Sequence, residues 1–317
     1  MAFTDMPELF TLRNTSISPE AHTFLIPEGP RTHEYMDGYN LECEKWLKEV
    51  AKEEKIPETV HISTLYYTRG DYQGRAIVYR PDTEEKLPMV FHTHGGSFLF
   101  WRPEYYDLMC ANIAEQGQCI VINMDFRQNI DILVPDMYED VYAGILSVVN
   151  QADKINGDIQ RLAIMGDSSG GQIAAGIPQM CRDRGTLTFI HQIIIAGGIG
   201  YDPKDLDNGN TSGSSLMGAV NVVKRGFENL EQAMHPYYSP IYDEHMELCP
   251  STTFVVGTAD YMAHEVAVYG KKLADAGVEV NVGLFQGMPH GFYNGGCGQA
   301  SRESWVYIGE QIRKHMK

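Results

Sequence analysis

The chain has few of the features that mark secreted, membrane-spanning or zinc-binding proteins. It holds only six cysteines, which lie far apart and form no Cys-x-x-Cys pair, so neither a disulfide framework nor a thiolate zinc site is expected. No apolar run approaches the length that a bilayer span requires. The first residues lack the basic start and the apolar stretch of a signal peptide. These absences predict a cytoplasmic protein with reduced thiols.

Basic residues are also scarce relative to acidic ones. The chain has 25 lysines and arginines against 42 aspartates and glutamates, which gives a formal net charge of −17. Such a charge disfavours nucleic acids and anionic membranes as partners. Because the acidic residues are scattered along the chain, we interpret them as favouring solubility. A length of 317 residues fits one large domain, with or without an insertion, better than two independent domains.

Apolar segments of strand length alternate with helical patterns along most of the chain. The predicted strands are residues 59–68, 75–80, 89–94, 119–124, 162–165, 188–195, 252–256 and 279–285. The predicted helices are residues 39–50, 103–114, 135–149, 172–184, 263–276 and 301–314. This order predicts an α/β fold, with a mostly parallel sheet that carries helices on both faces and an antiparallel hairpin at one edge.

Three segments depart from this alternation. Residues 1–30 contain four prolines and no clear periodicity, so we expect an irregular arm there. Pro178 lies inside the predicted helix 172–184 and should kink that helix or end it early. Residues 201–250 are rich in Asp, Asn, Gly and Ser, and we interpret them as an insertion outside the main sheet.

The motif Gly-Asp-Ser-Ser-Gly at residues 166–170 follows the apolar run Leu162–Met165 and precedes a helix-competent segment. A strand, a sharp turn and a helix form the context of a nucleophile elbow, in which the central serine has a strained backbone. The flanking glycines avoid collisions in so tight a turn. A Gly/Ser-rich loop without chemistry is the alternative, and we interpret Ser168 as a candidate nucleophile.

Two further residues follow late strands of the predicted sheet. His290 comes just after the last strand, in a turn-prone segment that can place its ring at the carboxyl edge of the sheet. Asp260 follows the preceding strand and could also serve as a helix N-cap. The resulting chain order, Ser168, Asp260, His290, is the order of an α/β-hydrolase triad. We therefore predict His290 as the base and Asp260 as the group that orients it.

The loop after the 89–94 strand offers backbone donors for a developing oxyanion. It contains Gly95, Gly96 and Ser97, and we expect their N–H groups, together with that of Ser169, to form the oxyanion hole. His92 and His94 alternate on one face of the preceding strand, so metal ligation is an alternative. No third ligand is evident in the sequence, and we predict no metal site.

Taken together, these motifs resemble the hormone-sensitive-lipase family of α/β-hydrolases, the bacterial family IV esterases. The resemblance rests on His94-Gly95-Gly96, on Gly166-Asp167-Ser168-Ser169-Gly170-Gly171, on Asp260 and on His290-Gly291-Phe292, and it runs from about Ile62 to the C-terminus. It implies a catalytic core at residues 58–200 and 246–317. It also implies a helical cap built from residues 1–57 and the insertion 201–245.

The chain departs from the family pattern at three places. Ser97 stands where the family has the third glycine of His-Gly-Gly-Gly, and its side chain narrows the site. The family's Asp-Pro-Leu-Arg-Asp-Glu is matched only at Asp260 and Glu265. The family's Tyr-Arg-Leu-Ala-Pro-Glu is Phe-Arg-Gln-Asn-Ile-Asp at residues 126–131, so the resemblance is weaker in this segment.

These observations predict a serine carboxylic ester hydrolase that needs no cofactor and acts on a small-molecule ester. The resemblance implies short acyl chains. We expect Phe98 and Trp101 to line an apolar wall for the substrate, with core packing as the alternative. An amidase or peptidase with the same triad, and a non-catalytic receptor for a small ligand on the same fold, stay open, as does a homodimer.

Overall fold

The computed structural model describes residues 10–13, 33–100, 102–200 and 224–317. Of the sequence predictions, the one for Trp101 and the one for residues 201–223 of the insertion fall outside these ranges. The domain boundaries at residues 57, 200 and 245 therefore stay predictions.

Nine strands of the described residues form one sheet in the order β1-β9-β8-β7-β6-β4-β5-β3-β2. The strands are β1 (Phe10–Arg13), β2 (Val60–Arg69), β3 (Tyr72–Pro81), β4 (Leu87–Thr93), β5 (Ile120–Met124), β6 (Gly157–Asp167), β7 (His191–Ile195), β8 (Ser251–Gly257) and β9 (Val280–Phe285). Only β3 runs against its two neighbours, and the other adjacent strands are parallel. The predicted α/β architecture, with its antiparallel edge hairpin, is confirmed.

Helices cover both faces of the sheet. They are α1 (His33–Glu53), α2 (Asp107–Gly117), α3 (Val134–Val149), α4 (Ser169–Arg184), α5 (Leu230–Ala233), α6 (Ala263–Asp275) and α7 (Gln299–His315). Side chains of β4 alternate between two cores: Val90 packs with residues of α2 and α7, whereas Met89 and Phe91 pack with residues of α3 and α4. Because both faces are covered, the central strands β4, β5 and β7 are buried along their whole length.

One local prediction is wrong, and another is wrong in part. Phe10–Arg13, inside the predicted irregular arm, forms a strand that pairs in parallel with Val282–Phe285 at the edge of the sheet. Four residues are too few to show the alternation that marks a strand, and the partner strand lies far away in the sequence. The predicted helix does run to Arg184, as α4, so Pro178 does not end it early, and the kink at Pro178 stays a prediction.

The described end of the insertion packs closely on α4. A Cβ atom at Gly176 would lie 1.9 Å from the carbonyl oxygen of Tyr237, so only glycine permits this approach. The side chain of Gln172 donates a hydrogen bond to the carbonyl oxygen of Tyr238. The N-terminal segment also makes a contact of this kind, since the Tyr105 hydroxyl donates to the Asn40 carbonyl of α1 (3.3 Å). Both segments of the predicted cap thus reach the helices and loops that surround the carboxyl edge of the sheet.

Among the helices that the structure describes, none combines the length and the apolar character that crossing a bilayer demands.

A pair of stacked histidines joins the sheet to the C-terminal helix. The rings of His191 in β7 and His315 in α7 lie 4.2 Å apart with planes at 7°. Nδ1 of His191 is 2.7 Å from the Ser251 hydroxyl, and Nε2 is 3.1 Å from the Thr253 hydroxyl. Burial, reinforced by repulsion from His315, lowers the pKa of His191 from 6.5 to about 3. The folded protein therefore holds this ring neutral.

We expect His191 to make the protein less stable in acid. The unfolded chain takes up a proton at this ring below pH 6.5 and the folded chain only near pH 3, so stability falls as the pH drops through this window. The slope from this group is at most about 1.4 kcal/mol per pH unit. Urea unfolding of His191→Gln at pH 7.5, 6.5 and 5.5 should show a shallower loss than the wild type. Parallel curves would contradict this, and His61→Gln, at an exposed histidine, is the control.

Candidate active site

Ser168 sits at the sharp turn between β6 and α4 with a strained backbone, φ 52° and ψ −123°. The turn leaves no room for side chains beside it. A Cβ atom at Gly166 would lie 2.3 Å from the carbonyl oxygen of Gly170, and one at Gly170 would lie 2.0 Å from that of Thr93. The surrounding backbone therefore over-determines the serine's conformation, which is how such strain persists at functional sites.

The three predicted triad residues meet at the carboxyl edge of the sheet. Nε2 of His290 lies 3.0 Å from Oγ of Ser168, and Nδ1 lies 3.0 Å from each carboxylate oxygen of Asp260. The side chain of Asp260 is fully buried, and that of His290 is 20% exposed. In the neutral ring, Nδ1–H donates to the carboxylate and Nε2 accepts the hydroxyl proton. This geometry is the one that general-base activation of a serine requires.

The loops after β8 and β9 hold each other in place. The Ala259 N–H donates to the Met288 carbonyl (3.1 Å), and the Gly287 N–H donates to the Thr258 hydroxyl (2.7 Å). A Cβ atom at Gly257 would lie 1.9 Å from that Met288 oxygen, so the strands' ends are in direct backbone contact. The two loops consequently carry Asp260 and His290 as one unit.

The loop after β4 turns through three consecutive residues in the left-handed region: Gly96 (φ 113°), Ser97 (55°) and Phe98 (58°). It lies beside Ser169, whose amide is in the first turn of α4, where helical N–H groups have no internal acceptor. The amides of Gly96, Ser97 and Ser169 donate to no other described residue. These three amides remain the candidate oxyanion donors.

The prediction for Gly95 is wrong. Its N–H donates instead to Oδ1 of Asp167 (3.0 Å) and to the Tyr106 hydroxyl (3.1 Å). A Cβ atom at this position would lie 2.6 Å from Oδ2 of Asp167, so the close approach itself requires glycine. Gly95 therefore supports the loop of residues 95–100, which we call the candidate oxyanion loop, and its own N–H does not donate to an oxyanion.

Asp167 is a buried carboxylate next to Ser168 to which the sequence analysis assigned no role. Its buried carboxylate accepts hydrogen bonds from the Gly95 N–H and from the Tyr106 hydroxyl (2.8 Å), and it lies 3.3 Å from Nε2 of His92. Burial and the nearby carboxylate raise the pKa of Tyr106 well above its usual value, so the tyrosine stays a donor. An acidic residue at the end of an apolar strand was the available signal, because buried carboxylates need partners.

The alternative of a metal site at His92 and His94 has no support in the described residues. Nδ1 of His92 lies 2.8 Å from the Asn123 amide oxygen and its Nε2 faces Asp167, so both ring nitrogens have protein partners. Nδ1 of His94 is bonded to the Gly95 carbonyl (3.0 Å). In the ranges that the structure describes, no cluster of three His, Cys, Asp or Glu could hold a metal ion.

The predicted aromatic wall differs from the observed surroundings of the triad. Phe98 is only 3% exposed and belongs to the core that α3 and α4 cover, so the packing alternative holds for this residue. Tyr261 instead lies beside the triad, with its ring 4.4 Å from the His290 ring and 42% exposed. Tyr261 is thus an exposed aromatic residue beside His290, and its position directly after Asp260 was the signal that sequence reasoning passed over.

Comparisons with known proteins agree with this geometry. A family model described as alpha/beta hydrolase fold matches residues 90–294, which include Ser168, Asp260 and His290. Esterase LipI of Mycobacterium tuberculosis is 28% identical over 224 residues, covering 68% of this chain and 69% of that protein. Ethyl acetate hydrolase of Pseudomonas putida is 22% identical, covering 95% and 100%. A hyperthermophilic esterase structure from Pyrobaculum calidifontis is 26% identical with TM-score 0.78, covering 88% and 91%.

We expect Asp260→Asn to lower kcat for a p-nitrophenyl ester on the order of 10⁴-fold, because an amide can donate to Nδ1 and favour the wrong tautomer of His290. Initial rates on the folded variant measure this. Glu265→Gln, which alters the other carboxylate that matches the family motif, should change kcat by less than about twofold. The opposite ranking of the two variants would show that the orienting acid is Glu265.

Proposed function

The chain belongs to the hormone-sensitive-lipase-like family of α/β-hydrolases and is an ester hydrolase, and we propose that it cleaves short-chain acyl esters through an acyl-enzyme on Ser168. The observation that carries this proposal is the continuous hydrogen-bonded chain from Ser168 through His290 to Asp260. That chain lies beside the amides of Gly96, Ser97 and Ser169, which have no other described acceptor. A nucleophile, a base, an orienting acid and oxyanion donors are the parts that acyl transfer needs.

In the first half-reaction, Oγ of Ser168 attacks the acyl carbon while its proton moves to Nε2 of His290. The negative charge that develops on the former carbonyl oxygen is stabilised by the three candidate amides and by the positive end of α4. The protonated His290 then donates its proton to the departing alkoxide, which leaves as the alcohol. The carboxylate of Asp260 stabilises the imidazolium throughout without accepting the proton.

In the second half-reaction, water takes the place of the alcohol. His290 removes a proton from the water, the resulting hydroxide attacks the acyl carbon, and Ser168 leaves with that proton restored. The carboxylic acid is released and the site returns to its starting state. Each step uses groups of this chain alone, so no cofactor is needed.

The names of the relatives support an ester substrate of modest size. One of them is an ethyl acetate hydrolase that covers 95% of this chain. We expect the Ser97 side chain, which stands in place of a third glycine, to narrow the site. The amidase or peptidase alternative uses the same triad and differs only in the leaving group. The receptor alternative is disfavoured because the proton relay is complete.

The cap and the location of the protein complete the proposal. We infer that α1 and the insertion 201–245 form a cap over the mouth of the site, because their described parts reach the elements around it. All six cysteines are free. Burial raises the pKa of Cys110, Cys119 and Cys181 and keeps them as thiols. Free thiols agree with a cytoplasmic location.

Ser168→Ala should abolish hydrolysis of p-nitrophenyl acetate above the uncatalysed rate, with its thermal midpoint close to that of the wild type, since only a hydroxyl is removed. A panel of p-nitrophenyl esters from C2 to C12, with the matching anilides, measures chain length and leaving-group preference. We expect kcat/KM to be highest at C2 to C6 and the anilides to be poor substrates.

Ser63→Ala, at an exposed position of β2, is the matched control for loss of a serine hydroxyl. Turnover at the wild-type rate in Ser168→Ala would contradict the proposed mechanism. Preference for anilides over esters would establish the amidase alternative.

A further inference from the structure

Gln128, on the segment after β5, reaches across to the candidate oxyanion loop. Its amide nitrogen donates to two backbone carbonyls, those of Gly95 (3.2 Å) and Phe100 (2.8 Å). Both partners are acceptors, so the nitrogen end of the side-chain amide must face them. The two carbonyls flank residues 96–99. One side chain is therefore hydrogen-bonded to the residues before and after the strained segment 96–99.

The bond to Gly95 controls a peptide unit that belongs to the candidate oxyanion hole. The Gly95 carbonyl and the Gly96 N–H are the two ends of one planar trans peptide and point in opposite directions. Nδ1–H of His94 also donates to this carbonyl (3.0 Å). Burial lowers the pKa of His94 to about 4, so the ring is neutral and its one N–H is used here. Two donors on the carbonyl thus direct the Gly96 N–H to the opposite side.

The loop depends on such restraints because its backbone is strained. Ser97 and Phe98 both have positive φ, which costs free energy in residues other than glycine. Two non-glycine residues in succession hold this conformation only if neighbouring groups impose it. Asp167 restrains the loop through the Gly95 N–H, and Gln128 restrains it through the carbonyls of Gly95 and Phe100.

Gln128 is itself firmly anchored. The guanidinium of its neighbour Arg127 donates to both oxygens of Asp140, through Nε at 2.7 Å and an Nη at 2.8 Å. The side chain of Asp140, in α3, is fully buried, and Arg69 donates to it as well (2.9 Å). Bidentate pairs of this kind fix orientation as well as position. The segment that carries Gln128 is therefore held against the sheet.

A leucine, the residue of the family motif, would fill this space without donating a hydrogen bond. The glutamine also leaves its own Oε1 buried and without a partner among the described residues, which an apolar side chain would avoid. We propose that Gln128 is a positioning residue for the oxyanion hole, which aligns the Gly96 N–H with the developing oxyanion. This proposal rests on the proposed function, because it assumes an oxyanion formed by attack of Ser168.

The test compares Gln128→Leu and Gln128→Glu with the wild type on p-nitrophenyl acetate. We expect kcat to fall about 10- to 100-fold in Gln128→Leu with KM within about twofold, because an oxyanion donor acts in the transition state. The loss in Gln128→Glu should be at least as large, since a carboxylate cannot donate to carbonyl oxygens. The Ki of an alkyl trifluoromethyl ketone, which forms an oxyanion on the serine, should rise by the same factor as kcat/KM falls.

Controls separate a positioning role from a structural one. Rates are normalised to active-site burst, and Gln160→Leu, at an exposed position, controls for the substitution itself. If Gln128→Leu does not fold, Gln128→Met keeps the side-chain length and removes only the amide. Unchanged kcat, or a ketone Ki that does not follow kcat/KM, would overturn this proposal alone. Wild-type activity that survives Ser168→Ala would instead overturn the proposed function.

Discussion

The backbone of the β6–α4 turn packs against the end of β4 with no space for a side chain between them. A Cβ atom at Gly170 would lie 2.0 Å from the Thr93 carbonyl oxygen, and the Thr93 hydroxyl donates to the Gly170 carbonyl (2.7 Å). Because β4 and β6 are neighbours in the sheet, the loops that follow them start side by side. This contact places the strained serine and the candidate oxyanion loop in one rigid body, and the remaining parts of the site are built around it.

The imidazole of His290 follows β9, which lies on the opposite side of β6 from β4 in the strand order. A second rigid unit aligns it. The loops after β8 and β9 share backbone hydrogen bonds, so Asp260 and His290 keep their separation whatever the cap does. The serine side meets this unit at the 3.0 Å contact between Oγ and Nε2. A site assembled from two preorganised units loses little free energy to reorganisation when charge develops, which is how such sites lower the barrier.

The sequence predicts which residues follow which strands, and this knowledge is sufficient to predict that the three candidate triad residues meet. Ser168, Asp260 and His290 come after β6, β8 and β9, and parallel strands bring their carboxyl ends to one edge. The direction of a single amide is not encoded in that way. Gly95 was predicted as a donor to the oxyanion, yet its N–H donates to Asp167. The rotation of one peptide determines which acceptor the N–H meets, and tertiary contacts determine that rotation.

The same limit explains the other differences. Phe98 was predicted to line the substrate site, but its ring lies in the core. Ser97 and Phe98 both have positive φ angles, and no pattern in the sequence predicts those angles. The four residues of β1 are too few to show periodicity. The interior of α4 tolerates Pro178 because tertiary packing compensates for local propensity, as it often does in buried helices.

Buried polar groups on three neighbouring strands form a network that reaches the candidate oxyanion loop. A continuous chain runs from Asn123 on β5 through His92 on β4 to Asp167 on β6, and it ends at the Gly95 N–H. Apolar side chains of similar size would fill these three neighbouring strands without the cost of desolvating a carboxylate. The chain instead gives the carboxylate of Asp167 hydrogen-bond partners that include the Gly95 N–H and the Tyr106 hydroxyl. These contacts fix the direction of the Gly95 N–H, and with it the start of the candidate oxyanion loop.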